Sequence, residues 1–262
     1  MTNNISKTLF IPLYFKYKES LEGKAIYDES AITFFKSNKD ILDFSEIDKD
    51  LASFTGTIAR TLVIDKLIKN IISKHEIDFI ANIGCGLDFR NRRLKIGNVD
   101  WYNIDLKEVI EFRKNNISSI PNEKNVIGDI LKLDFLDNLP QGKGIFIFEG
   151  LLMYFTKKNV DFIMNHLTKN FNNCYYIIEV CPDEFINQPG LNPSIKSINK
   201  NIMFKWGNNN PLLLEKNGLE YIKGHKIMEE LKDRWKFFEK NPLFVKFKPI
   251  VYNNFRIDLY KK

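Results

Sequence analysis

Seven strand-like runs are spread along the chain, with helix-like stretches between several of them. The runs are Phe79–Ile83, Trp101–Ile104, Asn125–Ile127, Ile145–Phe148, Tyr175–Val180, Leu219–Ile222 and Phe255–Tyr260. Several are continuous rather than alternating, the pattern of strands buried on both faces by covering helices. Lys107–Asn116 and Val160–Asn170 read as helices, the second begun by Thr156 as an N-cap. Ahead of the first strand, Thr57 to Ser73 predicts a helix, with Ile58, Leu62, Leu67, Ile68, Ile71 and Ile72 approximating one apolar face. This alternation of strand and helix predicts an α/β domain with a mostly parallel sheet. Asn187–Pro193 and Asn208–Pro211 read as loops.

Residues 1–56 have a different texture. Ile11, Leu13, Tyr14, Phe15 and Tyr17 crowd together, and Ile32, Phe34 and Phe35 follow. Aromatic residues at this density need a surface to cover. The segment is therefore expected to be an N-terminal helical extension, packed on the main domain or closing over a pocket as a lid. The main domain is expected to span 57–262.

The first strand runs into Ile83-Gly84-Cys85-Gly86-Leu87-Asp88, and Asp105 ends the next strand-like run. Glycines allow a ligand to approach the backbone closely. A carboxylate about 20 residues on is where a nucleotide ribose is gripped in Rossmann-like folds. A dinucleotide fingerprint requires a third glycine beside the pyrophosphate, and this chain has Phe89 there. S-adenosylmethionine has adenine and ribose but no phosphate, and so does not require that glycine. Three readings stand at this point: a methyltransferase, a dinucleotide enzyme, or a glycine turn without a ligand.

Ligands of open α/β sheets bind beyond the carboxyl ends of the strands. Successive strand ends place there Asp105, then Asp129 and Ile130, then Glu149 and Gly150. Asp105 can accept from ribose hydroxyls and Asp129 from an adenine amino group, while Glu149 can face a cation. Each alone also reads as a cap or a solvated loop carboxylate; as a set they strengthen the S-adenosylmethionine reading.

Composition narrows the picture further. The chain has 262 residues, 44% of them apolar, enough for one sizeable core. No apolar run reaches the length of a membrane span, and the first residues do not resemble a signal peptide, so a cytoplasmic protein is expected. The three cysteines, Cys85, Cys174 and Cys181, form no C-x-x-C pair, which supports neither a disulfide framework nor a zinc site. The net charge of +6 is dispersed, apart from Arg90-Asn91-Arg92-Arg93. A spread this diffuse reads as a solvated surface rather than a nucleic-acid footprint.

Four segments carry a family resemblance. They are Gly56–Arg60, Ala81–Arg90, Trp101–Leu106 and Phe148–Tyr154, with Phe204–Gly207 and Arg234-Trp235 further on. Together they resemble the leucine carboxyl methyltransferase family, in its branch of tetracenomycin-type polyketide O-methyltransferases. The resemblance implies a Rossmann-like class I methyltransferase with a seven-stranded, mostly parallel sheet and helices on both faces. It implies S-adenosylmethionine as cofactor, contacted by Arg60, Gly84, Gly86, Asp105, Asp129, Ile130 and Glu149. The chain departs from the family pattern at Phe89 and at Arg92-Arg93.

The implied activity is O-methylation of a carboxylate or hydroxyl on a small, polyketide-like molecule. Alternatives are a non-catalytic methyltransferase-like module and a carboxyl methyltransferase acting on a protein C-terminus. Methyl transfer needs alignment more than acid–base help. Arg60, Arg90 and Tyr154 are the candidates to clamp an acceptor. A hydroxyl acceptor would want a base, for which His166 and His225 are weak candidates by type, His166 because it lies on a helix away from the ligand end. Tyr14 and Tyr17 read as packing. A small molecule is the expected partner, with neither nucleic acid nor membrane. A nucleic-acid amino methyltransferase would carry a proline-rich aromatic segment where Glu149-Gly150-Leu151-Leu152 stand.

Overall fold

A computed structural model describes residues 6–22, 25–39, 41–188, 194, 198, 202–240 and 242–262. The predicted loop Asn187–Pro193 lies outside the described residues from position 189 onward.

Seven strands form one sheet. In chain order they are β1 (Phe79–Ile83), β2 (Asp100–Asp105), β3 (Glu123–Ile127), β4 (Gly144–Phe148), β5 (Tyr175–Val180), β6 (Glu220–Lys226) and β7 (Arg256–Lys261). Their spatial order is β3-β2-β1-β4-β5-β7-β6. The first five are parallel, and β7 enters antiparallel between β5 and β6. This is the seven-stranded, mostly parallel sheet expected from the sequence. Strand order reverses at β1, which pairs with both β2 and β4. That switch point opens a crevice at the carboxyl ends of β1 and β4.

Strand residues point alternately to the two faces, and both faces are apolar. Ile80, Ile145, Ile147, Ile177 and Ile257 pack with Ile64, Ile68 and Ile71 of helix α3 (Leu51–Lys74). Phe79, Ala81, Ile83, Phe146 and Phe148 pack the opposite face against Ile163, Met164 and Leu167 of helix α6 (Lys157–Asn170). Burying both faces is what makes these strands read as unbroken apolar runs. Thr156 caps α6 as expected, its side chain accepting from the Asn159 N–H.

Helix α3 starts at Leu51, six residues before the predicted Thr57, because the Asp50 carboxylate caps it by accepting from the Ser53 N–H. The expected boundary between residues 56 and 57 therefore falls within a helix. Ahead of it, α1 (Phe10–Glu22) and α2 (Glu29–Ser37) supply the expected helical extension. Phe10, Leu13, Phe34 and Phe35 pack on Leu87 and Phe89 of the turn after β1 and on Phe112 of α5 (Lys107–Asn116). A short α4 (Arg90–Leu94) follows that turn.

Two regions go beyond the predicted elements. Strand β6 runs to Lys226 rather than Ile222. It is an edge strand, and its exposed polar residues weaken the apolar signal. Helices α7 (Lys232–Lys236) and α8 (Pro242–Asn254) have no counterpart in the predicted elements. Pro249 lies inside α8, and proline inside a helical pattern ordinarily signals its end. Among the described residues, no helix is long and apolar enough to cross a membrane.

Candidate active site

The turn after β1 is folded back over β2. Gly84 and Cys85 N–H groups both donate to the Ile104 carbonyl, at 2.8 and 3.1 Å. Gly84 and Gly86 have φ values of +64° and +50°, which side chains disfavour. The Gly86 N–H donates to Asp105 Oδ2 and the Leu106 N–H to Oδ1, each at 2.8 Å. The carboxylate is thereby held in a fixed pose with lone pairs to spare. Burial pushes the Asp105 carboxyl above its ordinary pKa, and the two N–H donors work against that shift.

An ion network gathers behind this turn. Arg60, from α3, donates from Nε to Glu149 Oε1 and from Nη1 to Glu179 Oε1, both at 3.0 Å. Arg90 donates from Nε to Asp65 at 2.7 Å, from Nη1 to Asp88 at 2.8 Å and from Nη2 to Glu149 at 2.5 Å. Lys16 of α1 donates to Asp88 at 2.6 Å. Arg93 joins Asp65 to Asp28, the N-cap of α2. Burial alone would raise the Glu149 carboxyl, but Arg90, Lys16 and Arg60 pull it down to about 2. Asp88 is likewise held well below the ordinary carboxylate range, burial being outweighed by Arg90, Lys16 and Arg93.

These groups surround a cavity of about 600 Å³, within the range of small-ligand and cofactor sites. Its wall includes the glycines Gly84 and Gly86 and the carboxylates Asp88, Asp105, Glu149 and Glu179. It also includes the aromatic side chains Tyr154, Phe185, Phe204, Trp235 and Phe244. Tyr154 and Phe204 meet edge to face, with centroids 5.5 Å apart. Leu9, Leu13 and Lys16, from the extension, also line the cavity. Arg234 of α7, next to Trp235, ties to the extension through a bidentate pair to Glu19 of α1, both contacts at 2.7 Å.

The structure brings Arg60, Gly84, Gly86, Asp105, Glu149 and Tyr154 together on the cavity wall. Arg90 is placed differently. Its side chain is fully buried and its three donating nitrogens are taken by carboxylates, so it faces the network rather than the cavity. Asp129 and Ile130 stand at the end of β3, adjoining Asp105 through the Gly128 N–H to Asp105 carbonyl bond of 2.9 Å, but off the cavity wall. Asp129 Oδ1 accepts from the Leu131 N–H at 2.9 Å. None of the chain's three histidines lines the cavity. His166 Nδ1 instead meets the Phe162 carbonyl on the exposed side of α6.

Sequence reasoning missed Lys16, Asp65 and Glu179. Glu179 carried a usable signal as a lone carboxylate in the apolar run Tyr175–Val180. Lys16, between Phe15 and Tyr17, carried the same kind. Charges inside buried segments are seldom there without a partner.

The sheet order and the site at its switch point define the class: a class I methyltransferase fold. The family model for leucine carboxyl methyltransferase matches residues 18–168. The chain therefore belongs to the leucine carboxyl methyltransferase family, whose cofactor is S-adenosylmethionine. A curated relative is the tetracenomycin polyketide synthesis O-methyltransferase TcmP of Streptomyces glaucescens. It is 25% identical over 114 residues, which span 43% of this chain and 42% of TcmP. Among solved structures, one from Thermobifida fusca YX, provisionally assigned as a methyltransferase, is similar in fold. Its TM-score is 0.57 at 12% identity, over 95% of this chain and 94% of that one. A DUF574 family protein of Streptomyces avermitilis MA-4680 gives a TM-score of 0.55 at 9% identity, over 100% and 99% of the two chains.

The residues present fit the cofactor. A Cβ on Gly84 would lie 2.8 Å from Leu151 Cδ1, so the cradle needs the missing side chain. Asp105 offers an oriented acceptor beside the exposed Leu106, as a ribose and an adjoining flat base would require.

Proposed function

We propose that this chain is an S-adenosylmethionine-dependent O-methyltransferase acting on a small, apolar, polyketide-like acceptor in the cytoplasm. The observation that carries this reading is one cavity walled both by a glycine and carboxylate cradle and by aromatic side chains. Gly84, Gly86 and Asp105 would hold the adenosine part, and Arg60 and Glu149 the charged amino-acid part. Asp129 and Ile130 would border the adenine beyond the present wall. Bound there, the cofactor supplies an electrophilic methyl group, taken by an oxygen as the carbon–sulfur electron pair returns to sulfur.

The chain's own contribution is binding, alignment and exclusion of water. Residues 1–56 act in this reading as a lid, since Leu9, Leu13 and Lys16 line the cavity together with residues of 57–262. Arg60 and Tyr154 are the groups placed to orient the acceptor, and Arg90 braces the network behind them. Of the two nucleophiles open to an O-methyltransferase, a carboxylate is the one that asks no base of these residues. Such an acceptor arrives ionised at neutral pH, whereas a hydroxyl needs a base. No histidine is on the wall, and burial, partly offset by Arg60, pushes the Tyr154 phenol up to about 12. That phenol is a donor at neutral pH.

Calorimetric titration of S-adenosylmethionine and S-adenosylhomocysteine into the native protein and Asp105→Ala tests the reading. Binding to the native protein that is lost in the variant supports it, and a screen of aromatic acids and phenols with labelled methyl donor then identifies the acceptor. Failure of a folded native sample to bind either ligand overturns it.

A further inference from the structure

The charges on the cavity wall do not balance. Among the described residues, the wall has two cations, Lys16 and Arg60, against four carboxylates, Asp88, Asp105, Glu149 and Glu179. Behind it, Arg90 and Arg93 are matched by Asp65 and Asp28. Asp88 has Lys16 and Arg90 as direct partners, and Glu149 has Arg60 and Arg90. Glu179 has a share of Arg60 at 3.0 Å and the Gly150 N–H at 2.6 Å. Its side chain is 0% exposed. Asp105 is held by two backbone N–H groups.

A buried carboxylate short of positive charge is costly. Burial raises the Glu179 carboxyl above its ordinary pKa, Glu149 adds to the rise, and Arg60 and the Gly150 N–H oppose it without cancelling it. A cation entering the cavity relieves that cost, and a neutral ligand leaves it in place. S-adenosylmethionine carries an ammonium, a carboxylate and a sulfonium, a net single positive charge. The demethylated product, S-adenosylhomocysteine, has lost the sulfonium charge and is neutral overall.

We infer that Glu179 is the residue by which this site favours the cationic methyl donor over the neutral product left after transfer. The inference rests on the cavity being the S-adenosylmethionine site. It gives the wall two tasks: drawing in the charged donor and loosening its hold once the charge is gone. Asp105 does not contribute to the discrimination, because both ligands present the same ribose to it.

The test compares three ligands on native protein and on Glu179→Gln. They are S-adenosylmethionine, S-adenosylhomocysteine and sinefungin, which has an ammonium-bearing carbon in place of the sulfonium and no methyl group to transfer. The substitution is expected to weaken S-adenosylmethionine and sinefungin by about tenfold or more, and S-adenosylhomocysteine by less than about threefold. An equal loss for all three, or none, overturns the inference while the cofactor reading survives. Absence of binding of any of the three to native protein overturns the cofactor reading, and the inference with it.

Should Glu179→Gln fail to fold, the native protein supplies the second measurement. The groups facing Glu179 are Arg60 from α3, Glu149, Gly150 and Tyr154 after β4, and Cys181 beyond β5. Of the two carboxyls in this cluster, Glu179 is shifted upward and Glu149 downward. Lowering the pH across the range in which the protein stays folded is expected to narrow the preference for S-adenosylmethionine over S-adenosylhomocysteine as Glu179, with its carboxyl shifted upward, takes up a proton before Glu149 does. A preference unchanged across that range overturns the inference.

Discussion

Arg60 and Glu149 lie 89 residues apart in the chain and meet with Arg60 Nε donating to Glu149 Oε1 at 3.0 Å. The same carboxylate accepts from Arg90 Nη2 at its other oxygen. One side chain at the end of β4 thus joins helix α3 to the segment following the β1 turn. Removing either arginine would disturb the pose of the other through Glu149, so their effects should not be additive.

Arg90→Met tests the mechanical side of this arrangement. The substitution removes three hydrogen bonds and leaves Asp65, Asp88 and Glu149 short of positive charge in a buried setting. Breaking a buried ion pair on one side costs about 3–5 kcal/mol, so the midpoint of chemical denaturation should fall sharply. Arg90→Lys should recover only part of the loss, because an ammonium cannot reproduce a forked guanidinium. A variant within about 0.5 kcal/mol of native stability would show that Arg90 braces nothing.

Acid should unfold the protein through the same network. The Glu149 carboxyl lies at about 2 in the folded chain against an ordinary 4.5. A folded-state value below the unfolded one means its contribution is complete above 4.5 and is lost as pH falls from there toward 2. Asp88 acts in the same direction. Glu179 acts oppositely, since its folded value is raised: its contribution is complete at low pH and fades as pH rises through that value. With Glu149 and Asp88 dominating at acid pH, stability should drop between about pH 5 and 3. Glu149→Gln should flatten that drop in denaturation curves followed by circular dichroism; an unchanged slope would contradict the assignment.

The sheet was legible in the sequence because burying both faces leaves unbroken apolar runs, and β1 and β5 were read with their observed ends. Asp105 and Glu149 were legible because the crevice lies where strands end. Lys16 and Glu179 stand out locally only as charges in apolar segments; their partners come from contacts across the fold, and no local pattern records that Lys16 of α1 reaches Asp88. Helix α8 was hidden by Pro249, although its Phe244 and Val251 help to wall the cavity. The acceptor side is consequently less legible than the cofactor side.

Gly84→Ala separates backbone strain from crowding. At φ +64° an alanine costs about 1–2 kcal/mol, and its Cβ would lie 2.8 Å from Leu151 Cδ1. Cofactor affinity should fall, because the same turn aims the Gly86 N–H at Asp105. Adding Leu151→Ala relieves the clash but not the strain, so the double variant should regain only part of the affinity. Full recovery in a titration would mean that the dihedral angle is not what fixes Asp105.

The pH dependence of turnover distinguishes alignment from base catalysis. His225 is half-buried on β6, with burial first and Lys223 second pushing its pKa down, and neither it nor His166 touches the cavity. For a carboxylate acceptor, kcat/KM should therefore be flat between about pH 6 and 9, since the acceptor is already ionised over that range. His166→Ala and His225→Ala should each leave that plateau in place. Tyr154→Phe should raise the KM for the acceptor and change kcat less, because the phenol supplies a hydrogen bond and not a proton sink. A profile rising with a midpoint near 6.5, abolished by either histidine substitution, would replace alignment with general-base catalysis as the mechanism.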